Sequence, residues 1–241
     1  GSTRIHNAGS RSKAISGKGN GTYAYKVRAC NSLGDCGSFS AVRNTRVSIT
    51  AGIPVLTVPA NDADGSYRIS WTSVSGAATY QLYEGSNRIH NQNNLAKDIS
   101  GKGNGTYAYK VRACNSLGDC SAFGGVQNPR VSIIPAVPTM DAPATDFDGD
   151  YLVRWSAEAG AVMYNLYEGS TNIHNWNNQG KAISGKTTGS YGYKVRACNS
   201  LGDCSEFSAV DTTEVIFTPT VPVLTVPAND SDGSYPASWT A

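Results

Sequence analysis

Charge is scarce in this 241-residue sequence, where 16% of residues are Asp, Glu, Lys or Arg and the formal net charge is +2. A balance so near neutrality excludes a dedicated nucleic-acid binder, whose phosphate contacts need a strongly basic stripe. No apolar run approaches the roughly 20 residues that cross a bilayer, so no membrane insertion is expected in this segment. The N-terminus carries no signal-peptide pattern, which weighs little because the chain reads as an internal piece of something longer. Also missing are a P-loop, a nucleophile elbow, paired catalytic carboxylates and a metal-ligand cluster, so no catalytic function is expected. Apolar residues are not missing. Enough Val, Ile, Leu, Tyr and Trp are present to build packed cores, which excludes disorder.

The dominant positive feature is an internal repeat. The segment KAISGKGNGTYAYKVRACNSLGDC at residues 13–36 recurs at 97–120 with one substitution and at 181–204 with four. His6, His90 and His174 step by the same 84 residues, as do Pro54, Pro138 and Pro222, and Trp71, Trp155 and Trp239. A unit of that length is too long for a solenoid repeat and suits a small complete domain. The repeat divides the chain into two full units, 53–135 and 136–219, with the C-terminal part of a unit at 1–52 and the N-terminal part of another at 220–241. The sequence is therefore expected to be a window onto a longer array. A sharper expectation is that neighbouring molecules complete each other's part-domains to make a fibre, as in strand donation. It is weakened because the two parts together lack the counterpart of residues 74–84, which carries a core strand.

Within a unit the apolar period is two. Leu56 and Val58 alternate, then Tyr67, Ile69 and Trp71, then Tyr80 and Leu82, then Tyr107, Tyr109, Val111 and Ala113. Along the last of these strands Ala108, Lys110, Arg112 and Cys114 are expected to face outward. Turn signals at Asp64-Gly65, Ser75-Gly76, 101–105 and Gly118-Asp119 separate the strands, and no helical stripe is present. Short alternating strands at such intervals predict an all-β chain of antiparallel two-sheet sandwiches.

The residues carrying a family likeness are Trp71 and Trp155 on the second strand, Tyr-x-Leu-Tyr at 80–83 on the third and Tyr-x-Tyr-x-Val-x-Ala-Cys-Asn on the sixth. A last strand opening with Cys-Ser-x-Phe completes the set. The unit resembles a fibronectin type III domain of the kind found in bacterial secreted and cell-surface proteins. The resemblance covers essentially the whole chain and implies tandem immunoglobulin-like sandwiches in an extracellular or surface location. It says little about function, because one sandwich serves many roles. The loop between the last two strands is Asn-Ser-Leu-Gly-Asp and no Arg-Gly-Asp occurs, so integrin-type adhesion does not carry over.

Six cysteines fall as three Cys-x5-Cys pairs, Cys30/Cys36, Cys114/Cys120 and Cys198/Cys204. The first of each pair is expected to face outward on one hairpin strand and the second to open the returning strand. A five-residue turn can bring such a pair within the roughly 4.4–6.8 Å between Cα atoms that a disulfide needs, and two thiolates per unit are too few for structural zinc. Hairpin disulfides are expected, and with them an oxidising compartment. Each unit also carries Ile-His-Asn, whose lone His6, His90 or His174 reads as a polar strand-edge or turn residue rather than a ligand or base. An acidic turn recurs with Asp62 and Asp64, Asp146 and Asp148, and Asp230 and Asp232. It reads as a tight turn or as part of a calcium loop lacking its later ligands, so calcium is the one cofactor candidate. Lys110 and Arg112, with Tyr83 and Tyr167 nearby, could form a repeated basic-aromatic contact face, and Trp176 has no counterpart in the other units. Asn20-Gly-Thr and Asn104-Gly-Thr fit the N-glycosylation pattern, which the third unit loses at Thr188.

The function expected from these readings is a structural or adhesive repeat segment of a bacterial extracellular protein. Short Pro-containing junctions at 49–54 and 134–138 favour a stiff rod or fibre. Its expected partners are neighbouring copies of the same array and a glycan or cell-surface ligand. The alternatives are a carbohydrate- or surface-binding accessory module and a spacer inside a secreted enzyme.

Overall fold

The structure, a computed structural model, describes residues 3–240; residues 1, 2 and 241, at the outer ends of the first and last predicted segments, lie outside that range. The described residues contain strands and no helix, so none is long and apolar enough to cross a membrane. The chain divides into two compact units, Gly1–Ile133 and Ile134–Ala241.

In the second unit a three-stranded antiparallel sheet is formed by Met140–Asp141, Tyr151–Trp155 and Gly180–Ile183. It packs against a five-stranded sheet in the order Thr145–Asp146, Asp211–Val215, Gly189–Cys198, Met163–Glu168, Thr171–Trp176. The strand Thr145–Asp146 runs parallel to its neighbour and all other pairs are antiparallel. Alternation dictates which side chains enter the space between the sheets: Val153, Trp155, Tyr164, Leu166, Tyr193, Val195 and Ala197 form the core, as expected where one sheet face is dry. This is the strand order of a fibronectin type III-like β-sandwich.

The first unit repeats that plan over residues 53–133. Leu56–Thr57, Tyr67–Trp71 and Ala96–Ile99 form one sheet, and Asn87–Gln92, Thr79–Glu84 and Tyr109–Cys114 form the inner part of the other. Leu56, Ile69, Trp71, Leu82, Val111 and Val131 are buried between them. Residues before 53 add a hairpin of Gly21–Tyr25 and Arg43–Val47. In the second unit a corresponding front portion adds the hairpin Leu224–Thr225 and Ser238–Trp239.

Two expectations about the cysteine hairpins are corrected. Cys114 and Cys198 lie on the outward side of their strands yet are buried, because Thr79–Glu84 and Met163–Glu168 pair alongside them, a neighbour that the exposed Cys30 lacks. The second correction concerns Cys36, Cys120 and Cys204, none of which opens a regular returning strand. Each forms only an isolated bridge, to Cys30, Cys114 and Cys198 respectively. The reason is that serine hydroxyls take over from backbone carbonyls in the stretch that follows, directly after Cys120 and Cys204 and four residues after Cys36. Ser121 N donates to Ala113 O, but the return bond from Ala113 N goes to the Ser121 hydroxyl rather than to a carbonyl. Ser205 does the same to Ala197 after Cys204, and Ser40 to Val27 after Cys36. A ladder in which a serine hydroxyl replaces one of its backbone acceptors breaks the regular pattern of paired backbone bonds.

The Asp-x-Asp-Gly turn shows how tightly the sequence constrains one backbone position. Gly65 has φ +79°, and a Cβ there would sit 2.1 Å from the Lys102 carbonyl oxygen. Gly149 repeats this with φ +79° and 2.3 Å from the Lys186 carbonyl. A side chain would meet both left-handed strain and a backbone clash. Gly65→Ala is therefore expected to destabilise its module by more than about 2 kcal/mol in urea titration, while Gly103→Ala, which meets nothing within 4 Å at an unstrained φ, changes little.

Candidate functional site

The residues that carried functional expectations sit in four places in each module. The first is the cysteine hairpin. All three pairs are bonded, with Cα atoms 4.0 Å apart in Cys30–Cys36 and 3.9 Å apart in both Cys114–Cys120 and Cys198–Cys204. That is closer than the range expected of a disulfide, and the register explains it. Backbone hydrogen bonds flank the pair, from Ser121 N to Ala113 O and from Asn115 N to Asp119 O. The same bonds flank Cys198 and Cys204, from Ser205 N to Ala197 O and from Asn199 N to Asp203 O, and those from Gly37 N and Asn31 N flank Cys30 and Cys36. Each is thus a non-hydrogen-bonded pair, the type in which strands approach most closely. Their surroundings differ: Cys30 and Cys36 are both exposed, whereas Cys120 and Cys204 are half-buried over buried partners. Closing so short a loop removes about 2 kcal/mol of unfolded-chain entropy.

The second is the acidic turn. Asp62 Oδ1 accepts from Gly65 N at 2.6 Å and Asp64 Oδ1 from Ser66 N at 2.8 Å. Asp146 Oδ2 accepts from Gly149 N at 2.6 Å, Asp148 Oδ1 from Asp150 N at 3.0 Å, and Asp230 and Asp232 accept from Gly233 N and Ser234 N. The carboxylates thus act as turn acceptors, replacing backbone partners that a tight turn lacks. Among the described residues no group of three or more His, Cys, Asp or Glu side chains is placed to hold a metal.

The third is the histidine. His90 lies on Asn87–Gln92, at the edge of its sheet as expected of a strand-edge residue, but its ring is turned into the core rather than left at a polar edge. The cause is a bulge: the register shifts between Leu82 and Tyr83, so Arg88 opposes Tyr83 while His90 opposes Leu82. Cross-strand partners share a face, and Leu82 faces the core. The imidazole then packs edge-on against Trp71 with centroids 5.1 Å apart, and His174 does the same against Trp155 at 5.5 Å. Burial lowers the pKa of both imidazoles; Lys97 adds to it at His90, while at His174 an Asn178 hydrogen bond opposes it and Lys181 adds to it. His6 is placed differently, with Nε2 3.0 Å from the Ser10 hydroxyl.

The fourth is the basic-aromatic face, and here the phenyl ring of the Cys-Ser-x-Phe motif, which was not assigned to this face, organises the charges. Lys110 Nζ lies 4.7 Å and the Arg112 guanidinium 4.8 Å from the Phe123 ring centre, and Tyr83 meets the same ring edge-on at 5.2 Å. Arg112 Nε also donates to Gln81 Oε1 at 2.9 Å. Lys194, Arg196, Tyr167 and Phe207 repeat the stack, and Lys26 and Arg28 flank Phe39. Each cation–π contact contributes about 0.5–1 kcal/mol at such sites, so the cations serve the sheet as well as the solvent. Trp176 stands apart and is 68% exposed.

One network was not anticipated at all. Lys102 Nζ donates to both carboxylate oxygens of Glu84, at 2.6 and 2.8 Å. The fully buried Tyr109 hydroxyl donates to Glu84 Oε2 at 3.3 Å and shares a 2.8 Å hydrogen bond with Tyr67. Lys186, Glu168, Tyr193 and Tyr151 reproduce it. Burial pushes the tyrosine pKa values up, so these hydroxyls stay protonated and act as donors. The signal available in the sequence was recurrence alone, since Glu84 and Lys102 recur 84 residues later.

No family model matches the chain, and no curated protein does. Among solved structures it is similar to the fibronectin(III)-like modules of Clostridium thermocellum CbhA, at 16% identity over 68% of this chain and 94% of that one, with a TM-score of 0.31. It is also similar to the chicken CNTN1 FN1-FN3 domains, at 17% identity over 79% and 74% of the two chains, TM-score 0.30. Murine CEACAM1b aligns at 12% identity over 67% and 100%, TM-score 0.42. The two-sheet architecture itself is defined by the chain's own strand order.

Glu84→Ala should cost its module about 2–4 kcal/mol in denaturant unfolding, because it strands a half-buried ammonium and a buried hydroxyl together. The histidines give a pH signature. With the folded pKa below the ordinary 6.5, the unfolded chain binds more protons, so stability is full above pH 6.5 and falls as pH drops below it. A His90→Phe, His174→Phe variant should lose that part of the slope in Tm measured from about pH 7.5 to about pH 5.

Proposed function

We propose that this chain is a non-catalytic structural and adhesive repeat segment of a bacterial extracellular or cell-surface protein, and that it forms a stiff rod or fibre. The observation that carries the reading is the fate of the reactive-looking side chains. The cysteines, paired carboxylates, histidines and Glu-Lys-Tyr groups are each engaged inside their own module, and in the same way in both modules. A catalytic site needs groups left facing a substrate; a load-bearing module needs its groups facing one another. Disulfides in every repeat support an oxidising compartment. The reading assigns no cofactor to the chain.

Its organising unit is the 84-residue module, with 53–135 and 136–219 as full copies and 1–52 and 220–241 as back and front portions. Stiffness is supported by the junction before residue 53. Ala51 is buried among the core residues of the module that follows, and Gly52 approaches Val74 so closely that a Cβ would lie 3.3 Å from its Cβ. A connection used as packing material cannot also act as a free hinge. The partners are neighbouring copies of the same modules. A second reading, as an accessory module for glycan or a cell surface, is favoured only by the exposed Trp176, an aromatic platform present in one module.

Negative-stain microscopy of the native protein distinguishes these. Straight rods or periodic filaments are expected. Beads bent at all angles would overturn the rod, and glycan-array binding lost in Trp176→Ala would favour the accessory module instead.

A further inference from the structure

The loop closed by each disulfide has the sequence Asn-Ser-Leu-Gly-Asp, and in the first compact unit one copy of it grips another part of the chain. Inside the 115–119 loop, Asn115 Oδ1 accepts from the amides of Leu117 and Asp119, at 2.9 and 3.0 Å. That leaves the Asn115 amide group, on a residue only 3% exposed, with its donors pointing out of the loop. They reach Ser48 Oγ at 3.0 Å and the Ile49 carbonyl at 3.1 Å. The same Ser48 hydroxyl donates to Asp119 Oδ2, as does the Arg46 guanidinium. Those contacts hold the Asp119 carboxyl below its ordinary value of 3.8, the Ser48 hydrogen bond first and Arg46 second.

The strand end is matched to the loop by its period. Arg46 and Ser48 are two residues apart at the end of Arg43–Val47, so both side chains lie on one face and converge on one carboxylate. The ion pair is half exposed and by itself selects weakly. Selection comes from the buried Asn115, whose donors would be left unpaired by a strand end lacking the serine and the properly placed carbonyl. Charge adds a second filter. Two repeats further on, the equivalent positions are Glu214, Val215 and Ile216, which would set a like charge against an aspartate and offer no hydroxyl.

A second copy of the loop, at 31–35, is built identically. Asn31 Oδ1 accepts from Leu33 N at 3.0 Å and Asp35 N at 2.9 Å, and Gly34 is left-handed at φ +94° as Gly118 is at φ +84°. It differs in burial, Asn31 being exposed where Asn115 is buried, and in one hydrogen bond. The Asn31 amide turns back onto the Asp35 carboxylate at 3.2 Å, where the Asn115 amide reaches Ser48. Leu33 at its tip is 87% exposed.

We propose that the Asn-Ser-Leu-Gly-Asp loop is a module-docking site that recognises the Arg-x-Ser end of a neighbouring module's last strand, and that the copy at 31–35 takes such a strand end from a further module. The disulfide and the asparagine then have two duties, closing the hairpin and presenting its donors at a fixed angle to the next module. This deepens the array reading and rests on it for its purpose, but the experiment reads the contact itself rather than the shape of the particle.

Two measurements on the full chain test it. Spin labels introduced by non-cysteine chemistry at Ser38 and Asn93 should give a narrow distance distribution that widens in Asp119→Ala and in Arg46→Ala, Ser48→Ala; an unchanged width overturns the clasp. A peptide of residues 42–51, titrated while backbone amide shifts are recorded, should move the 31–35 amides saturably. The Arg46→Glu peptide should bind about tenfold more weakly. In Arg46→Ala, Ser48→Ala the 115–119 amides should respond as well. A peptide that moves neither loop, or an equally strong charge-reversed peptide, overturns the docking site. If the clasp holds and microscopy shows bent beads, the rod fails and the docking site stands.

Discussion

A tyrosine hydroxyl placed between two apolar sheets has to find an acceptor, and most of the module is arranged around that requirement. Tyr109 is fully buried on one sheet, and its hydroxyl meets that of Tyr67 on the other, so a single 2.8 Å hydrogen bond joins the two layers. Glu84 supplies the acceptor and Lys102 neutralises Glu84. The backbone of Lys102 then closes the circuit: its amide donates to the Gly65 carbonyl, and its own carbonyl occupies the space a Gly65 side chain would need. A satisfied buried polar network of this kind selects one arrangement of sheets and turns, because a shifted register would leave a charge or hydroxyl unpaired in low dielectric.

The outer face is governed by weaker forces. Lys110, Arg112 and Phe123 stack where solvent still reaches them, so each contact contributes little by itself. The disulfide acts locally on the same hairpin, holding its two strands in register next to an Asn-centred turn. It does so where the regular ladder stops, since Cys36, Cys120 and Cys204 are each followed by a serine-interrupted stretch rather than a strand. The cross-linked hairpin is thus at the end of the module that carries the 115–119 loop, which is where the proposed docking site meets its neighbour. A loop that must present two amide donors at a fixed angle gains from being cross-linked at its base.

Much of this was legible from period and spacing. Alternation placed Ile69, Trp71, Leu82, Val111 and Ala113 in the core, and all are buried. What spacing could not reveal has specific causes. His90 faces the core because a bulge inserts one residue opposite the Leu82/Tyr83 step, and a one-residue slip moves every later side chain to the other face. Glu84 ends a strand and Lys102 lies in a loop 18 residues on, so nothing local pairs them. Phe123 lies in an irregular stretch where strand periodicity no longer predicts direction.

The amino-acid sequence by itself determined the 84-residue module, its all-β class, the alternation that fills the core and the proximity of the two cysteines in each hairpin. These depend on local backbone periodicity and short loops, which neighbouring residues specify. Only the tertiary structure decided which polar groups close on one another. The Tyr-Tyr-Glu-Lys chain, the histidine against tryptophan and the grip of Asn115 and Asp119 on Arg46 and Ser48 all join residues far apart in the sequence, from strands and the loops between them. Their partners are fixed by sheet packing and register, which no local stretch of sequence encodes.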